Sequence, residues 1–477
     1  MTSPLLSDTG VGPSQVPASS LAALLARWLP RQRWFTGQGR DISGVSVVAA
    51  TALTADCYHL LVRVDQRGSS GGDHYQVLLG VAAQMPPRMS PSLIGEVEAR
   101  AGERLMIYDA VHDHRAAIVL LERLRRGGTA GHLRFESLPR TAVPCGLTPR
   151  VLDVEQSNTS IVYGDELILK LFRHIQPGIN PDLEVTGALA RHGFTQVPAP
   201  IGWFQTEAPF WSTLGMVQPF LTDSTDGWAL ALESGRRRQG FTDEAHELGR
   251  TTGELHVALA RAFPTDVGPV DQPARMADAM SHRLLRAAAR VPALRPYVPD
   301  LQEIYAAVVT AGGERPLQRT HGDLHLGQVL HAHGRWHIVD FEGEPAKPVP
   351  ERRSLRSPIA DVAGMLRSFD YAAQSGPEFH PQWGEGCRNA FCAGYGESGG
   401  FDPRAVPAAL RAHEADRAVY EVVYESVYRP DLMAVPMQAV ARLCATRGTH
   451  PSASSVIAAP SAPPAVSGSS DRPAQET

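Results

Sequence analysis

The sequence predicts an α+β protein with two lobes, the first rich in β-strands and the second mainly helical. Up to about residue 221, short runs rich in Val, Leu and Tyr alternate with turn residues, which is typical of strands. Beyond that point helical periodicity dominates, as in residues 243–262, where Leu248, Leu255 and Leu259 fall on one face. The chain has 477 residues, 43% of them hydrophobic, so it can form more than one hydrophobic core.

Composition and charge argue against several classes of function. The 45 Lys and Arg residues against 50 Asp and Glu residues give a net charge of −5, which argues against binding nucleic acid or anionic membranes by bulk charge. No apolar run approaches the ~20 residues that a membrane-spanning helix needs, and the start of the chain lacks a secretory signal pattern. The 5 cysteines are scattered without a C-x-x-C pair, which predicts reduced thiols in a cytoplasmic protein.

The chain divides into a folded part and two ends of biased composition. Both ends are rich in Ser and Pro and offer too little apolar surface to fold. In the first folded unit, the run Ala116–Leu121 is predicted as a strand. The predicted units are 1–19 (disordered), 20–140 (mostly β, with one or two helices), 141–221 (a second group of strands), 222–447 (helical) and 448–477 (disordered).

The segment 321–342 carries residue types that phosphoryl transfer requires. The loop HGDLHLGQ presents Asp323 and Gln328. A predicted β-hairpin then presents Asp340 and Glu342, which are two residues apart and would share one face of a strand. Phosphoryl transfer needs a carboxylate for the attacking hydroxyl and oxygen ligands that hold Mg²⁺ against the nucleotide phosphates. The spacing D-x₄-[N/Q], followed by an Asp that opens D-F, matches the catalytic and metal loops of protein kinases.

A second set of residues upstream completes this pattern. Lys170 ends the run LILK, in the position of the strand lysine that binds nucleotide phosphates. Glu184 follows 14 residues later on a predicted helix, where the glutamate that pairs with this lysine is expected. Before the strand, a polar segment without a glycine-rich pattern is either a phosphate-binding loop or a plain polar turn. Its candidate residues are Gln156, Ser157, Asn158, Thr159 and Ser160.

A third set lies on one face of a predicted helix near residue 420. Its members have offsets of 0, 3, 4, 7 and 11 and are Arg417, Tyr420, Glu421, Tyr424 and Tyr428. Aromatic rings with a paired Arg and Glu suit a disaccharide, because rings stack on pyranose faces and charged groups bond to hydroxyls. Packing of the tyrosines against a neighbouring helix is the alternative interpretation.

Several long segments of the chain resemble the actinobacterial maltokinases, which belong to the aminoglycoside phosphotransferase-like kinases. They are RQRWF (31–35), EQSNTS (155–160), ILKLFRH (168–174), HGDLHLGQVL (321–330), DFEGEPAKP (340–348), SPIADVAGMLRSFDYAA (357–373) and DRAVYEVVYESVYRP (416–430). The resemblance implies a bilobal protein kinase-like fold in which residues 20–140 form an extra amino-terminal cap. The implied reaction is ATP- and Mg²⁺-dependent phosphorylation of maltose at its anomeric hydroxyl, giving maltose 1-phosphate for α-glucan and glycogen synthesis. A trehalose synthase is the implied partner protein.

By position, the resemblance also implies a role for each candidate residue. Asp323 would be the catalytic base, and the Mg²⁺ site would contain Gln328, Asp340 and Glu342. Lys170 would hold phosphate, Glu184 would orient Lys170, and Asp361 would brace the catalytic loop. A hinge would contact adenine through Met216, Gln218 and Phe220. The acceptor sugar would contact Asp370, Tyr371, Arg417, Tyr420, Glu421 and Tyr424. The family commonly has Lys where this chain has Arg417, and the two side chains donate hydrogen bonds differently.

Two alternatives remain open at this point. The first is a kinase of another small acceptor such as glucosamine or an aminoglycoside, whose ammonium group would favour unpaired carboxylates, whereas here Glu421 and Glu425 are accompanied by Arg417 and Arg429. The second is an inactive kinase-like scaffold that binds a trehalose synthase. The joint presence of Lys170, Asp323 and Asp340 argues against the scaffold. His321 and His325 are interpreted as structural residues of the catalytic loop, since no third ligand at zinc-like spacing accompanies them.

Overall fold

The computed structural model describes ten stretches of the chain, and they form two antiparallel sheets followed by a helical lobe. These stretches are residues 16–37, 39–68, 71–100, 102–138, 143–152, 158–237, 239–312, 316–344, 347–375 and 381–445. The predicted tail, 448–477, and Gln156 and Ser157 of the predicted phosphate loop lie outside them. Residues 16–19, predicted as disordered, include the buried Val16 and the start of the first helix at Ala18, so the prediction is wrong for these residues.

The first unit is a six-stranded antiparallel sheet covered by one helix; five strands precede residue 110, and the sixth is the short strand His174–Ile175. The helix packs on the edge strands β1 and β4, and the strand order is β1-β2-β3-β5-β4. Leu60 on β2 faces the core under the helix, whereas its neighbour Leu61 faces a second core, so both faces of β2 are buried. The elements are α1 (Ala18–Trp28), β1 (Ile42–Ala52), β2 (Cys57–Gln66), β3 (Asp73–Ala82), β4 (Leu93–Glu98) and β5 (Arg104–Asp109).

The run Ala116–Leu121, predicted as a strand, lies instead in helix α2 (His114–Arg126), so that prediction is wrong. The Asp113 carboxylate caps the helix by accepting a hydrogen bond from the Arg115 amide at 2.9 Å. The helix ends at Gly127, whose φ of 67° favours glycine. A short apolar run does not distinguish a buried strand from a buried helix face, and the capping residues decide here.

The second sheet has seven strands, in the order β6-β7-β12-β13-β10-β9-β8. Although they precede residue 140, β6 and β7 belong to this sheet, since β7 pairs with β12. A tight turn with positive φ at Gly164 and Asp165 joins β9 to β10. The elements are β6 (Gly128–Ala130), β7 (Leu133–Ser137), β8 (Pro149–Val151), β9 (Thr159–Tyr163), β10 (Leu167–Leu171), β11 (His174–Ile175), α3 (Pro181–Arg191), β12 (Gly202–Thr206) and β13 (Ser212–Pro219).

The two sheets are joined directly beyond the strand that carries Lys170. The short strand β11 leaves the second sheet and pairs with β3 of the first, His174 opposite Tyr75. Arg173, just before it, is buried and donates to Asp109 at 3.0 Å. The side-chain amide of Gln76 donates to the carbonyl of Phe172 at 2.6 Å. The first unit is therefore held against the nucleotide-lysine strand by buried polar contacts.

Removal of the Asp109 charge is expected to destabilise the protein strongly. In the variant Asp109→Asn the Arg173 guanidinium stays buried without its ion partner, and we expect a loss of about 3 kcal/mol in the free energy of unfolding. The control Asp65→Asn removes an exposed ion pair with Arg63 and is expected to cost less than about 1 kcal/mol. Urea denaturation of both variants measures the difference, and equal losses would contradict the structural role of the buried pair.

The second lobe consists of helices around a small three-stranded sheet. Helices α5 and α10 approach closely because Gly249 and Gly394 lie at their contact, where added Cβ atoms would fall 2.0 and 1.9 Å from carbonyl oxygens of the opposite helix. The elements are β14 (Thr225–Asp226), α4 (Gly227–Arg237), α5 (Thr242–Ala262), α6 (Gln272–Arg290), α7 (Val298–Ala311), β15 (Val329–Ala332), β16 (Arg335–Ile338), α8 (Val349–Arg352), α9 (Ile359–Gln374), α10 (Pro381–Ser398), α11 (Pro407–Tyr428) and α12 (Ala434–Ala445). Among the helices of these described stretches, none has the length and hydrophobicity needed to cross a membrane.

Candidate active site

Lys170 on β10 lies at the centre of an acidic cluster between the two lobes. Its ammonium nitrogen is 2.7 Å from Asp182 Oδ2 and 3.7 Å from Glu342 Oε2, and it also donates to Asp340. Burial by itself would lower the pKa of Lys170, but the attraction of Asp182, Asp340 and Glu342 raises this pKa well above its ordinary value. The lysine is therefore positively charged, and it connects β10 to residues about 170 positions further along the chain.

The predicted pairing of Lys170 with Glu184 is wrong, and Asp182 takes that position. Asp182 and Glu184 are both in the first turn of α3, but two residues turn a helix by about 200°, so their side chains point in different directions. Asp182 faces the cleft, where its second oxygen accepts the Phe341 amide at 3.1 Å. Glu184 pairs with Arg319 at 2.9 Å and with Arg353. Residue spacing alone did not identify Asp182.

Asp340 and Glu342 approach Lys170 from a loop and not from a strand. Strand β16 ends at Ile338, so the prediction that Asp340 and Glu342 share one face of a strand is wrong. The backbone of Asp340 has a φ of 67°, an uncommon conformation for a residue with a side chain, and it turns the carboxylate toward Lys170. Gln328 donates from its side chain to Asp340 Oδ2 at 3.2 Å, so these predicted metal-site residues are adjacent.

The loop that contains Asp323, predicted to be the catalytic loop, is held by the buried carboxylate of Asp361. The Asp361 carboxylate accepts the backbone amides of His321 at 2.7 Å and Gly322 at 2.9 Å, and it contacts His256 at 3.1 Å. Burial would raise the pKa of Asp361, but the His256 contact and the Gly322 amide hold it below its usual value. Because the loop backbone is fixed on a buried carboxylate, the Asp323 side chain is presented from a rigid support.

The two loop histidines make structural hydrogen bonds. His321 Nε2 lies 2.9 Å from the Val339 carbonyl, and its Nδ1 accepts the Asp323 amide at 3.3 Å. His325 Nδ1 accepts the Gly327 amide at 3.1 Å. These contacts agree with the structural interpretation of both residues.

Asp323 itself contacts the predicted sugar helix. Arg417 on α11 donates from Nη1 to Asp323 Oδ1 at 2.8 Å. Burial would raise the pKa of the Asp323 carboxyl, but the Arg417 guanidinium outweighs this effect and the pKa lies below its usual value. The structure therefore brings together the predicted catalytic base and a predicted acceptor residue that are 94 positions apart in the chain.

The exposed face of α11 carries a ladder of tyrosine rings next to this contact. The ring centres of Tyr420 and Tyr424 are 6.2 Å apart, and those of Tyr424 and Tyr428 are 4.7 Å apart. Tyr424 is 40% exposed and Tyr428 is 60% exposed, so the ladder leads from the site to the surface. These exposed fractions are also compatible with the alternative of tyrosines that pack on a neighbouring helix with their tips exposed, so sugar binding by the ladder stays a prediction.

A buried layer of ion pairs lies under this face. Glu421 accepts two hydrogen bonds from Arg367 of α9, at 2.7 and 3.2 Å. Arg367 is 1% exposed and was not among the residues predicted from the sequence. Asp370, predicted to contact the sugar, is buried instead, and its carboxylate contacts Arg367, Arg388 and Arg442. Tyr371 donates to Glu425 at 3.3 Å.

Of the residues predicted to bind the nucleotide, Ser160 and Met216 lie directly opposite Lys170 on the neighbouring strands of the second sheet. Asn158 donates to Glu342, which links the predicted phosphate loop to the metal loop. The hydroxyl of Thr159 accepts a hydrogen bond from Arg173 at 2.7 Å, and Ser160 is buried opposite Lys170 in the ladder. Of the predicted hinge, Met216 is buried in the sheet opposite Lys170, and Gln218 and Phe220 are half-buried at the end of β13. Adenine and phosphate binding by these residues stays a prediction.

Comparison with known proteins identifies the class to which this fold and site belong. The sequence model described as phosphotransferase enzyme family matches residues 146–409, and that described as maltokinase N-terminal cap domain matches residues 28–113. The glucosamine kinase of Mycolicibacterium smegmatis is 30% identical over 361 residues, which is 69% of this chain and 87% of that protein. The glucosamine kinase of Streptacidiphilus jiangxiensis is 30% identical over 360 residues, covering 65% and 82%.

Solved structures show the same fold. A glucosamine kinase in complex with glucosamine, ADP and inorganic phosphate superposes with a TM-score of 0.61 at 23% identity, covering 88% of this chain and 98% of that one. A second crystal form of a glucosamine kinase gives a TM-score of 0.62 at 22% identity.

The molecule is therefore a phosphotransferase with the kinase-like bilobal fold that the sequence predicted. The chain belongs to the phosphotransferase enzyme family and carries a maltokinase cap domain at its amino-terminal side.

Proposed function

We propose that this protein is a maltokinase, which transfers the γ-phosphoryl group of ATP to the anomeric hydroxyl of maltose and releases maltose 1-phosphate and ADP. The observation that carries the proposal is the acceptor end of the site, where tyrosine rings stand beside Asp323 and the carboxylates are neutralised by arginines. The cap domain of the maltokinase type supports the same assignment.

The charge arrangement favours a neutral acceptor. The two acidic side chains of α11 that lie among the tyrosines of the ladder each have an arginine partner: Glu421 with Arg367 at 2.7 Å and Glu425 with Arg429 at 2.7 Å. An ammonium group that entered this site would lose its hydration without gaining an unpaired carboxylate of α11, which is unfavourable. A disaccharide of uncharged hydroxyls has no such cost.

The tyrosine ladder fits the second sugar ring of a disaccharide. A tyrosine offers an apolar ring face and a polar hydroxyl, which match the C–H face and the hydroxyl edge of a pyranose. The reacting ring would lie at Asp323 and the second ring would continue along Tyr420 and Tyr424. A monosaccharide such as glucosamine would leave the outer part of this ladder unused.

The residues of the cleft fit the chemistry of phosphoryl transfer. Asp323 would accept the proton of the anomeric hydroxyl, and Lys170 would neutralise phosphate charge. The donor set of Asp340, Glu342 and Gln328 offers carboxylate and amide oxygens, which is the ligand chemistry that Mg²⁺ prefers. The described residues contain no group of three His, Cys, Asp or Glu side chains in a metal-holding arrangement, so nucleotide phosphates and water would complete the coordination. When bound, Mg²⁺ would neutralise the charge of the transferred group.

A glucosamine kinase is the second candidate, because proteins of that name are 30% identical to this chain. The arginine partners of Glu421 and Glu425 argue against an amino sugar as the acceptor. A contribution to α-glucan and glycogen synthesis and an association with a trehalose synthase remain predictions.

An acceptor panel tests the proposal. Purified protein is supplied with ATP and MgCl₂ and with maltose, glucose, glucosamine or an aminoglycoside, and ADP release is followed for each. We expect kcat/KM for maltose to exceed that for glucosamine about tenfold or more, and the product to have lost its reducing end because the anomeric hydroxyl carries the phosphate. Turnover of glucosamine without turnover of maltose would overturn the proposal.

A further inference from the structure

Arg417 reaches from α11 to the catalytic loop and is the point where the acceptor helix touches the catalytic carboxylate. Its Nη1 atom lies 2.8 Å from Asp323 Oδ1, and its Nε atom lies 3.6 Å from Glu421 Oε1. The guanidinium carbon is 5.1 Å from the centre of the Tyr420 ring. The side chains of Arg417 and Asp323 are 20% and 18% exposed, so this ion pair is largely shielded from water.

The position of Arg417 is fixed by a chain of buried charges. Arg367, inside α9, holds Glu421 through two hydrogen bonds, and Glu421 in turn attracts Arg417. A guanidinium can serve both carboxylates because its donors are spread over a planar fork, whereas the ammonium of a lysine is a single point charge. The ordered series Arg367, Glu421, Arg417 and Asp323 therefore connects the core of the helical lobe to the catalytic loop.

We propose that Arg417 is a positioning residue that fixes the Asp323 carboxylate, and that it is not a direct ligand of the acceptor sugar. Arg417 occupies one oxygen of the carboxylate, so the other oxygen is the one that accepts the hydroxyl proton. This inference rests on the proposed role of Asp323 as the catalytic base. It revises the expectation from the sequence, in which Arg417 contacts the sugar.

Positioning and ligand binding predict different kinetic effects. Loss of a sugar ligand weakens the binding of maltose, whereas a misplaced base slows the chemical step on sugar that is already bound. In Arg417→Gln we therefore expect kcat to fall about 100-fold, because small misplacements of a catalytic group have effects of this size. The dissociation constant for maltose should change less than about threefold. Arg417→Lys keeps the charge and should recover part of the lost kcat.

The experiment compares these variants with a control at the ion pair that joins α6 to α11. Arg283→Gln removes an ion pair with Asp416, the neighbour of Arg417 in the chain, and is expected to leave kcat near the wild-type value. Maltose affinity is measured by calorimetry in the presence of a non-hydrolysable ATP analogue, and kcat by ADP release at saturating maltose. Circular dichroism checks that each variant is folded.

The outcomes separate this inference from the proposed function. A fall of kcat in Arg417→Gln that exceeds the loss of maltose affinity about tenfold or more supports the positioning role, and any smaller excess overturns it. If the wild-type protein phosphorylates glucosamine and not maltose, the proposed function fails. The same comparison of kcat and affinity is then made with glucosamine, and it still decides the role of Arg417.

Discussion

Asp323→Asn is expected to lower kcat for sugar phosphorylation about 100- to 10,000-fold, because an amide of the same size cannot accept the hydroxyl proton. The Asp361 brace of the loop does not involve the Asp323 side chain, so the fold should persist. Nucleotide affinity should change little, since Lys170 pairs with Asp182, Asp340 and Glu342 and not with Asp323. ADP release at saturating maltose and ATP measures the effect.

Two control measurements test whether Asp323→Asn keeps its fold and its affinity for nucleotide. The thermal unfolding curve should still show one cooperative transition, at a somewhat lower temperature because Arg417 loses its ion partner, and titration with a fluorescent ATP analogue should match that of the wild-type protein. Full turnover by Asp323→Asn would show that Asp323 is not the base and would contradict the proposed site. An inactive wild-type protein would support the alternative of a kinase-like scaffold.

Asp182→Asn is expected to lower kcat/KM for ATP about 10- to 100-fold. The change removes a charged hydrogen bond at 2.7 Å that holds the Lys170 ammonium, and such bonds contribute about 1.5–3 kcal/mol. It also weakens the contact of Asp182 with the Phe341 amide, next to the metal loop. Parallel measurements of kcat/KM for ATP in Asp182→Asn and Glu184→Gln test the assignment.

Glu184→Gln is the matched control, since it lies in the same turn of α3 and also loses one charge. Glu184 pairs with Arg319 and Arg353, so we expect its loss to affect stability more than kcat/KM for ATP. If Glu184→Gln has the larger effect on ATP turnover, Glu184 is the partner of Lys170 during catalysis. The arrangement of the cleft would then differ in the active state.

Much of the site could be predicted because its motifs are short and continuous in the chain. The catalytic loop with Asp323 and Gln328, and Asp340 in its D-F sequence, are recognisable without tertiary information. The structure adds the contact of Asp340 with Lys170, the hydrogen bond of Gln328 to Asp340 and the separate contact of Asp323 with Arg417. The buried residues that hold the site in place could not be predicted from the sequence. In the sequence Arg367 is an ordinary helix residue, and only its buried hydrogen bonds to Glu421 show what it does.

The predictions from the sequence were wrong where the direction of a side chain depends on the residue at which a helix or strand begins or ends. The position of the α3 start decides whether Asp182 or Glu184 faces the cleft, and the end of β16 decides whether Asp340 lies in a strand. The run Ala116–Leu121 is apolar in either conformation, and only the cap at Asp113 and the packing of α2 make it helical. A shift of one or two residues in a boundary redirects a side chain by 100–200°.

The order of the lobes could be predicted from the amino-acid sequence, and so could the residue types of the predicted catalytic and metal loops and the periodic face of α11, because these features depend on local spacing. Folding establishes that Asp182 contacts Lys170, that arginines surround Asp370, and that Arg417 contacts Asp323. These contacts join residues far apart in the chain, and an ion pair forms only where folding brings both charges together away from water. Ion pairs between distant residues therefore follow from folding, whereas the spacing of the residues in the predicted catalytic and metal loops can be recognised in the sequence.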